Sequence, residues 1–248
     1  MRDILIGLLV GLFSGLFGVG GGIILVPLLV LVLHIEQKQA QATSLVVVAM
    51  GATSGGVAYA LGGSVYWLSV PFLIAGGIVG TWLGTVVVNK VQARWLQLLF
   101  AVLLIVAALR LGLEPFFGSA PFVDEMSMVI ATGFAATGLV MGFLSALLGV
   151  GGGIIVIPLL VAVFGFPQQL AAGTSLIAMI PLALFGALRL TRSGFTQWAQ
   201  GFRMGSGSVI GAIGGASLAL ITAADVVQIA FATLLVFAAV NMVVKALR

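Results

Sequence analysis

The chain has 248 residues, of which 62% are hydrophobic and 6% charged, with a net charge of +4 and no cysteine. A soluble domain keeps roughly a quarter of its residues charged, so these few cannot cover a water-facing surface, and lipid must be the solvent for most of the molecule. The missing cysteines exclude disulfides, thiolate metal sites and a cysteine nucleophile, the single His34 excludes histidine-rich metal sites, and the basic residues, placed singly at the ends of apolar segments, read as insertion signals rather than a nucleic-acid surface.

In chain order, the first apolar segment covers residues 4–33. As one helix it would measure about 45 Å at 1.5 Å per residue, well beyond a ~30 Å hydrocarbon core, whereas two full crossings need about 40 residues. Successive glycines at Gly18–Gly22 weaken a helix near its middle. The segment therefore reads as a re-entrant hairpin of two short helices. Segments 42–60, 69–88 and 95–111 follow as crossings, and a polar linker containing Pro and Gly occupies 112–127. The second half repeats the pattern with 128–164, 171–189, 203–221 and 226–245, its longer first segment leaving more room for two crossings.

The halves are copies. Residues 11–27, GLFSGLFGVGGGIILVP, align with 142–158, GFLSALLGVGGGIIVIP, with 11 of 17 positions identical at an offset of 131. At the same offset Thr43-Ser44 matches Thr174-Ser175, Trp67 matches Trp198, Gly80 and Gly84 match Gly211 and Gly215, and Phe100 matches Phe231. The N-terminal segment, which on its own resembles a signal peptide, thus reads as a working part of the fold. The expected fold class is an all-α polytopic membrane protein of two inverted homologous repeats, each a re-entrant helical hairpin plus three transmembrane helices: 1–111 as first repeat, 112–127 as linker, 128–248 as second.

Charge supports the inversion. With one hairpin and three crossings per half, every Lys and Arg except Arg110 falls on one side, and Glu114, Asp124, Glu125 and Asp225 fall on the other. The positive-inside rule then makes both termini cytoplasmic. Three crossings are an odd number, so equivalent elements point opposite ways. Their charges differ accordingly: Arg94 aligns with Asp225, and Arg189 and Arg192 align with Ala58 and Leu61.

The paired GVGGG runs are the strongest functional signal. Non-helical backbone at membrane depth survives only against protein or a water-filled cavity. Glycine tips leave N–H groups free at the start of a returning helix, whose N-terminus attracts anions. Two tips from inverted repeats would meet near the midplane, where such transporters bind substrate. Candidate substrate-binding residues are Gly18, Gly20, Gly21, Gly22, Thr43 and Ser44, with their counterparts Gly149, Gly151, Gly152, Gly153, Thr174 and Ser175. Helix packing is the competing reading for the glycines, and it is preferred for Gly76, Gly80, Gly84, Gly207, Gly211 and Gly215. N-capping competes for the Thr-Ser pairs. Arg189, Arg192 and Arg203 read as orientation signals, Trp67 and Trp198 as interfacial anchors, His34 as a membrane-edge residue, and Pro27 and Pro158 as kinks in the returning helices. No apolar segment carries a central carboxylate for a proton relay, and no catalytic triad or metal cluster is present, so neither an enzyme nor a cofactor is expected.

A GVGGG…P segment followed by a Thr-Ser pair, repeated once across both halves, resembles the sulfite exporter TauE/SafE family. The resemblance implies a transporter of small sulfur-containing anions, such as sulfite or organosulfonates, usually outward. It carries over to Gly18–Gly22, Gly149–Gly153 and the two Thr-Ser pairs. A small-anion channel, and more distantly a membrane enzyme or assembly factor, remain as alternatives. The expected partners are a small anionic substrate and the lipid bilayer, with a homo-oligomer left open.

Overall fold

The computed structural model describes residues 1–87, 105, 108–109, 127–149 and 151–247. The predicted segment 95–111 and the linker 112–127 lie almost wholly outside the described residues. Within them the chain is all-helical: α1 (Arg2–Phe17), α2 (Gly22–Leu31), α3 (Gln37–Leu61), α4 (Val70–Val87), α5 (Met128–Leu148), α6 (Gly153–Phe164), α7 (Gln168–Thr191), α8 (Trp198–Ile221) and α9 (Ala224–Leu247). Among the described residues α3, α4, α5, α7 and α8 are each long and apolar enough to cross a membrane. The chain is a polytopic membrane protein. α5, with 21 residues, is long enough to span by itself, as the longer second segment allowed.

Each GVGGG run breaks the helix where the sequence placed the break. α1 ends at Gly18 with φ 75°, and α2 starts from Gly21 with φ 70°. Gly149 with φ 67° and Gly152 with φ 77° repeat the arrangement between α5 and α6. Side chains rarely adopt such left-handed backbone, so glycine is required at these four positions. The chain then folds back. A Cβ on Gly21 would lie 2.5 Å from Val10 Cγ1 and 3.3 Å from Ser14 Cβ, two turns back along α1. Leu25 and Leu29 of α2 pack with Val10 and Ile6 of α1. A Cβ on Gly152 would likewise lie 2.7 Å from the Met141 carbonyl oxygen. Both first segments are helical hairpins.

The repeats are interleaved rather than laid side by side: α1 packs on α8, α4 packs on α5, and α3 and α7 pack on each other. Glycines make this possible. Added side chains at Gly7, Gly11 and Gly15 would run into the backbone of Met204, Ser208 and Ala212, while Gly207, Gly211 and Gly215 face the carbonyls of Ile4, Leu8 and Leu12. On the other side Gly76, Gly80 and Gly84 face Ala135, Leu139 and Phe143, while Gly138 and Gly142 face Leu73 and Gly77. Every one of these pairs except Gly15–Ala212, whose counterpart is Ala146–Thr81, maps onto another under the 131-residue offset. Small residues at i and i+4 bring helix backbones into contact where the hydrophobic effect offers no help. The packing reading preferred for the scattered glycines holds.

Contact order also gives direction. Ascending positions on α1 meet ascending positions on α8, so these helices run parallel, and so do α4 and α5. α3 starts beside the α7–α8 connection, where Gln197 Nε2 donates to Gln39 Oε1 at 2.9 Å and Lys38 Nζ lies over the Phe195 ring. α7 starts beside the end of α8, where Gln169 Nε2 donates to the carbonyls of Ala219 and Thr222 at 2.8 and 2.9 Å. α3 and α7 therefore run antiparallel. Arg2, Lys38, Arg189, Arg192 and Arg203 share the end of the bundle where α1, α3 and α8 start, and Asp225 lies at the other end.

Three helix starts need correction, and one is that of α8, which begins at Trp198 and not at 203. α3 begins at Gln37 and α7 at Gln168, not at 42 and 171, because the stretches ahead of the Thr-Ser pairs are Gln-, Lys- and Ala-rich, which suits a helix well. The caps are Glu36 and Pro167, so the Thr-Ser pairs lie within the helices and are not N-caps. Pro27 and Pro158 lie inside α2 and α6, as expected.

Candidate functional site

The two glycine tips meet. A Cβ on Gly20 would lie 2.6 Å from Met179 Sδ and 3.0 Å from Val48 Cγ1, and a Cβ on Gly151 would lie 2.7 Å and 3.0 Å from the same two atoms. A Cβ on Gly153 would lie 2.8 Å from Val19 Cα, backbone of the opposite tip. Val48 and Met179 are equivalent under the repeat, each the twelfth residue of its helix, so the tips converge at mid-height of the two central helices. Gly18, Val19, Gly20, Gly21 and Gly22 are buried, as are Gly149, Gly151, Gly152 and Gly153.

Each tip ends in a helix start. Ile24 and Leu25 N–H donate to the Gly21 carbonyl at 3.1 Å, and Ile155 and Val156 N–H donate to the Gly152 carbonyl at 3.1 and 3.2 Å. The N–H groups of Gly22 and Ile23, and of Gly153 and Ile154, precede these bonds and have no helical acceptor. Two helix N-termini, each worth about half a positive charge, thus begin beside the same spot.

The Thr-Ser pairs divide their duties. Thr43 Oγ1 accepts from Gln197 N–H at 3.1 Å, and Thr174 Oγ1 accepts from Tyr66 N–H at 2.9 Å. These bonds are equivalent under the offset, so each threonine ties its helix to the start of a helix or loop of the opposite repeat. Ser44 Oγ lies 2.5 Å from the Gly149 carbonyl and 2.8 Å from that of Gln41, holding the second tip. Ser175, its counterpart, is fully buried with no hydrogen-bond partner for Oγ among the described residues. Ser14, one turn before the first tip, is in the same condition.

The structure brings Gly20, Gly151 and Gly153 together at Met179, sets Ser44 against Gly149, ties Thr43 and Thr174 to segments at opposite ends of the central helices, and adds Ser14, Val48 and Met179 to the residues near the tips. Ser14 sits inside the duplicated segment and could have been found there. Val48 and Met179 could not, because a valine and a methionine in apolar runs look like any core residue. Tyr59 was also missed: fully buried, it donates its hydroxyl to the Gly15 carbonyl at 3.0 Å and anchors the end of α1. Trp198, expected as a membrane anchor, is half-buried and donates Nε1–H to Thr191 Oγ1 at 3.1 Å, whereas Trp67 is exposed. Among the described residues no group of acidic or histidine side chains could hold a metal ion.

Interleaved hairpins whose glycine tips meet at mid-height define a transporter-like class of polytopic membrane protein. The chain belongs to the sulfite exporter TauE/SafE family, whose model matches residues 1–111 and 134–248. It is 29% identical over 208 residues to a probable membrane transporter protein of Xylella fastidiosa, covering 83% of this chain and 79% of that one. It is 31% identical over 193 residues to a probable membrane transporter protein of Methanocaldococcus jannaschii, covering 75% and 69%. It is 26% identical over 218 residues to the probable membrane transporter protein YdhB of Bacillus subtilis, covering 87% and 89%. No solved structure matches.

Proposed function

We propose that this membrane transporter moves small sulfur-containing anions, such as sulfite or organosulfonates, outward across the cell inner membrane, and that the anion binds between the two hairpin tips. The observation that carries this reading is the convergence of both tips on Val48 and Met179. There the free N–H groups of two helix starts lie beside one spot, with the unpartnered hydroxyls of Ser14 and Ser175 close to the tips. Ser14 adjoins Gly21, and Ser175 lies one turn before Met179 on the same face of α7.

The electrostatics suit a monoanion. Two helix N-termini together supply about one positive charge without burying a full one. A lone arginine at the bilayer centre would cost at least ~2.5–3.5 kcal/mol on insertion scales. A site of neutral donors also lets go of its ligand readily, as a carrier must. The buried, packed tips favour a carrier that opens by turns over an open channel. A transporter, not an enzyme, is also what the names of the relatives describe.

The test is flux and binding in proteoliposomes with sulfite, a small sulfonate, and a neutral solute of equal size. Sulfite and the sulfonate should be taken up and should compete with each other, while the neutral solute does neither. Equal competition by the neutral solute would overturn the anion site.

A further inference from the structure

We propose that Met179 is the movable plug of the binding site, filling the space between the two tips and setting the largest anion that passes. This rests on the proposed location of that site. The thioether touches both tips at once: its Sδ would lie 2.6 Å from a Cβ on Gly20 and 2.7 Å from one on Gly151, and its Cε would lie 2.9 Å from one on Gly153. The side chain is fully buried.

The pseudo-symmetric position holds Val48, which touches the same two tips. The two residues are not alike in what they can do. Valine is branched at Cβ and is held to one strongly preferred rotamer in a helix. Methionine is unbranched, has three rotatable bonds, and adapts to irregular space. The glycines at the tips are held by their left-handed backbone, and α3 and α7 are held together by packing along their length. Of the described groups that meet at this point, Met179 is the one that can withdraw without moving backbone. Its departure would leave a space bounded by Gly20, Gly151 and Gly153, one turn along α7 from the unpartnered Ser175 hydroxyl. The asymmetry also means that the plug belongs to one repeat only, so the two halves of the transport cycle differ in their gate.

The absence of native cysteine makes the test clean. Met179→Cys, an exposed control Ser193→Cys and a buried control Ala183→Cys on the same helix are reconstituted and treated with N-ethylmaleimide, which crosses membranes and attacks thiols that meet water. The expected result is that position 179 reacts roughly tenfold or more faster than 183, that methanesulfonate, which unlike sulfite does not consume the maleimide, slows the reaction, and that the modified protein, freed of reagent, no longer carries sulfite. Met179→Ala should shift the flux ratio of a bulkier sulfonate to sulfite upward by roughly tenfold, the scale on which a pocket discriminates small apolar volume. Equal reactivity at 179 and 183, or an unchanged ratio in folded Met179→Ala, would overturn the plug even with normal sulfite flux. Fast reaction at 179 in a protein that moves no sulfite would leave the plug standing and overturn the substrate assignment instead.

Discussion

Thr43 and Ser175 are both fully buried hydroxyl residues, yet losing the hydroxyl should do opposite things. Thr43→Val leaves the Gln197 N–H without its acceptor, and Thr174→Val does the same to Tyr66. Losing a part-buried hydrogen bond of this kind costs about 0.5–1.5 kcal/mol, so thermal unfolding in detergent should show both variants destabilised by similar amounts. Ser175→Ala removes no bond from the folded protein, so its melting temperature should stay within error of the parent while sulfite flux falls several-fold. A melting temperature that drops as far for Ser175→Ala as for Thr43→Val would mean the serine has a structural partner and is not held ready for a ligand. The sequence marked both pairs alike, because duplication shows where a polar residue recurs but not what it bonds. The difference between Ser44 and Ser175 appears only once the carbonyl of Gly149 is found beside one of them.

At the scale of helices, the duplicated glycines determine which elements pair. Gly80 and Gly211 are equivalent and face the carbonyls of Leu139 and Leu8. Alanine at either position forces two helix backbones apart, an overpacking that costs about 1–3 kcal/mol. Gly80→Ala and Gly211→Ala should therefore lower the yield of monodisperse folded protein to a similar extent. Gly214, three residues further along α8, is exposed and has only Leu12 Cδ1 near its added Cβ, at 3.9 Å. Gly214→Ala should be tolerated, and can stabilise the helix by ~0.5–1 kcal/mol. The spacing of these glycines was legible in the sequence, and so was their role in close packing. Their partners were not, because i, i+4 spacing marks a face without saying which helix it meets. A side-by-side arrangement of the halves would have satisfied the same pattern. The hairpin breaks were legible for a firmer reason: a run of glycines in an apolar segment too long for one crossing and too short for two leaves the chain few alternatives. The starts of α3 and α7 lie ahead of their apolar runs because polarity alone does not stop a helix: Gln, Lys and Ala favour the helix they open.

At the scale of the whole molecule, the proposal is that the repeats are inverted across the membrane, with both termini in the cytoplasm. Helix directions support it. α1 starts at the same end as α3 and α8, while its counterpart α5 runs with α4, whose start follows the end of α3 at the opposite face. Equivalent helices that point opposite ways need an axis lying across the helices, which in a bilayer lies in the membrane plane. The charges then choose between the two ways of placing such a bundle. Arg2, Lys38, Arg189, Arg192 and Arg203 gather at one end, and Asp225 lies at the other. Positive charge near short loops resists translocation, whereas acidic residues contribute little to orientation, so the basic end should stay inside. Ser193, exposed in the α7–α8 connection, marks the basic end, and Ala223, exposed between α8 and α9, marks the opposite one. Single cysteines at the two positions, in a chain with none of its own, should behave as opposites toward a membrane-impermeant maleimide in intact cells. Ala223→Cys should be labelled at once, and Ser193→Cys only after the membrane is opened. Labelling of Ser193→Cys from outside would reverse the orientation, and labelling of both from the same side would mean that α8, the one helix between them, does not cross, which would leave the second repeat without the odd number of crossings that inversion needs.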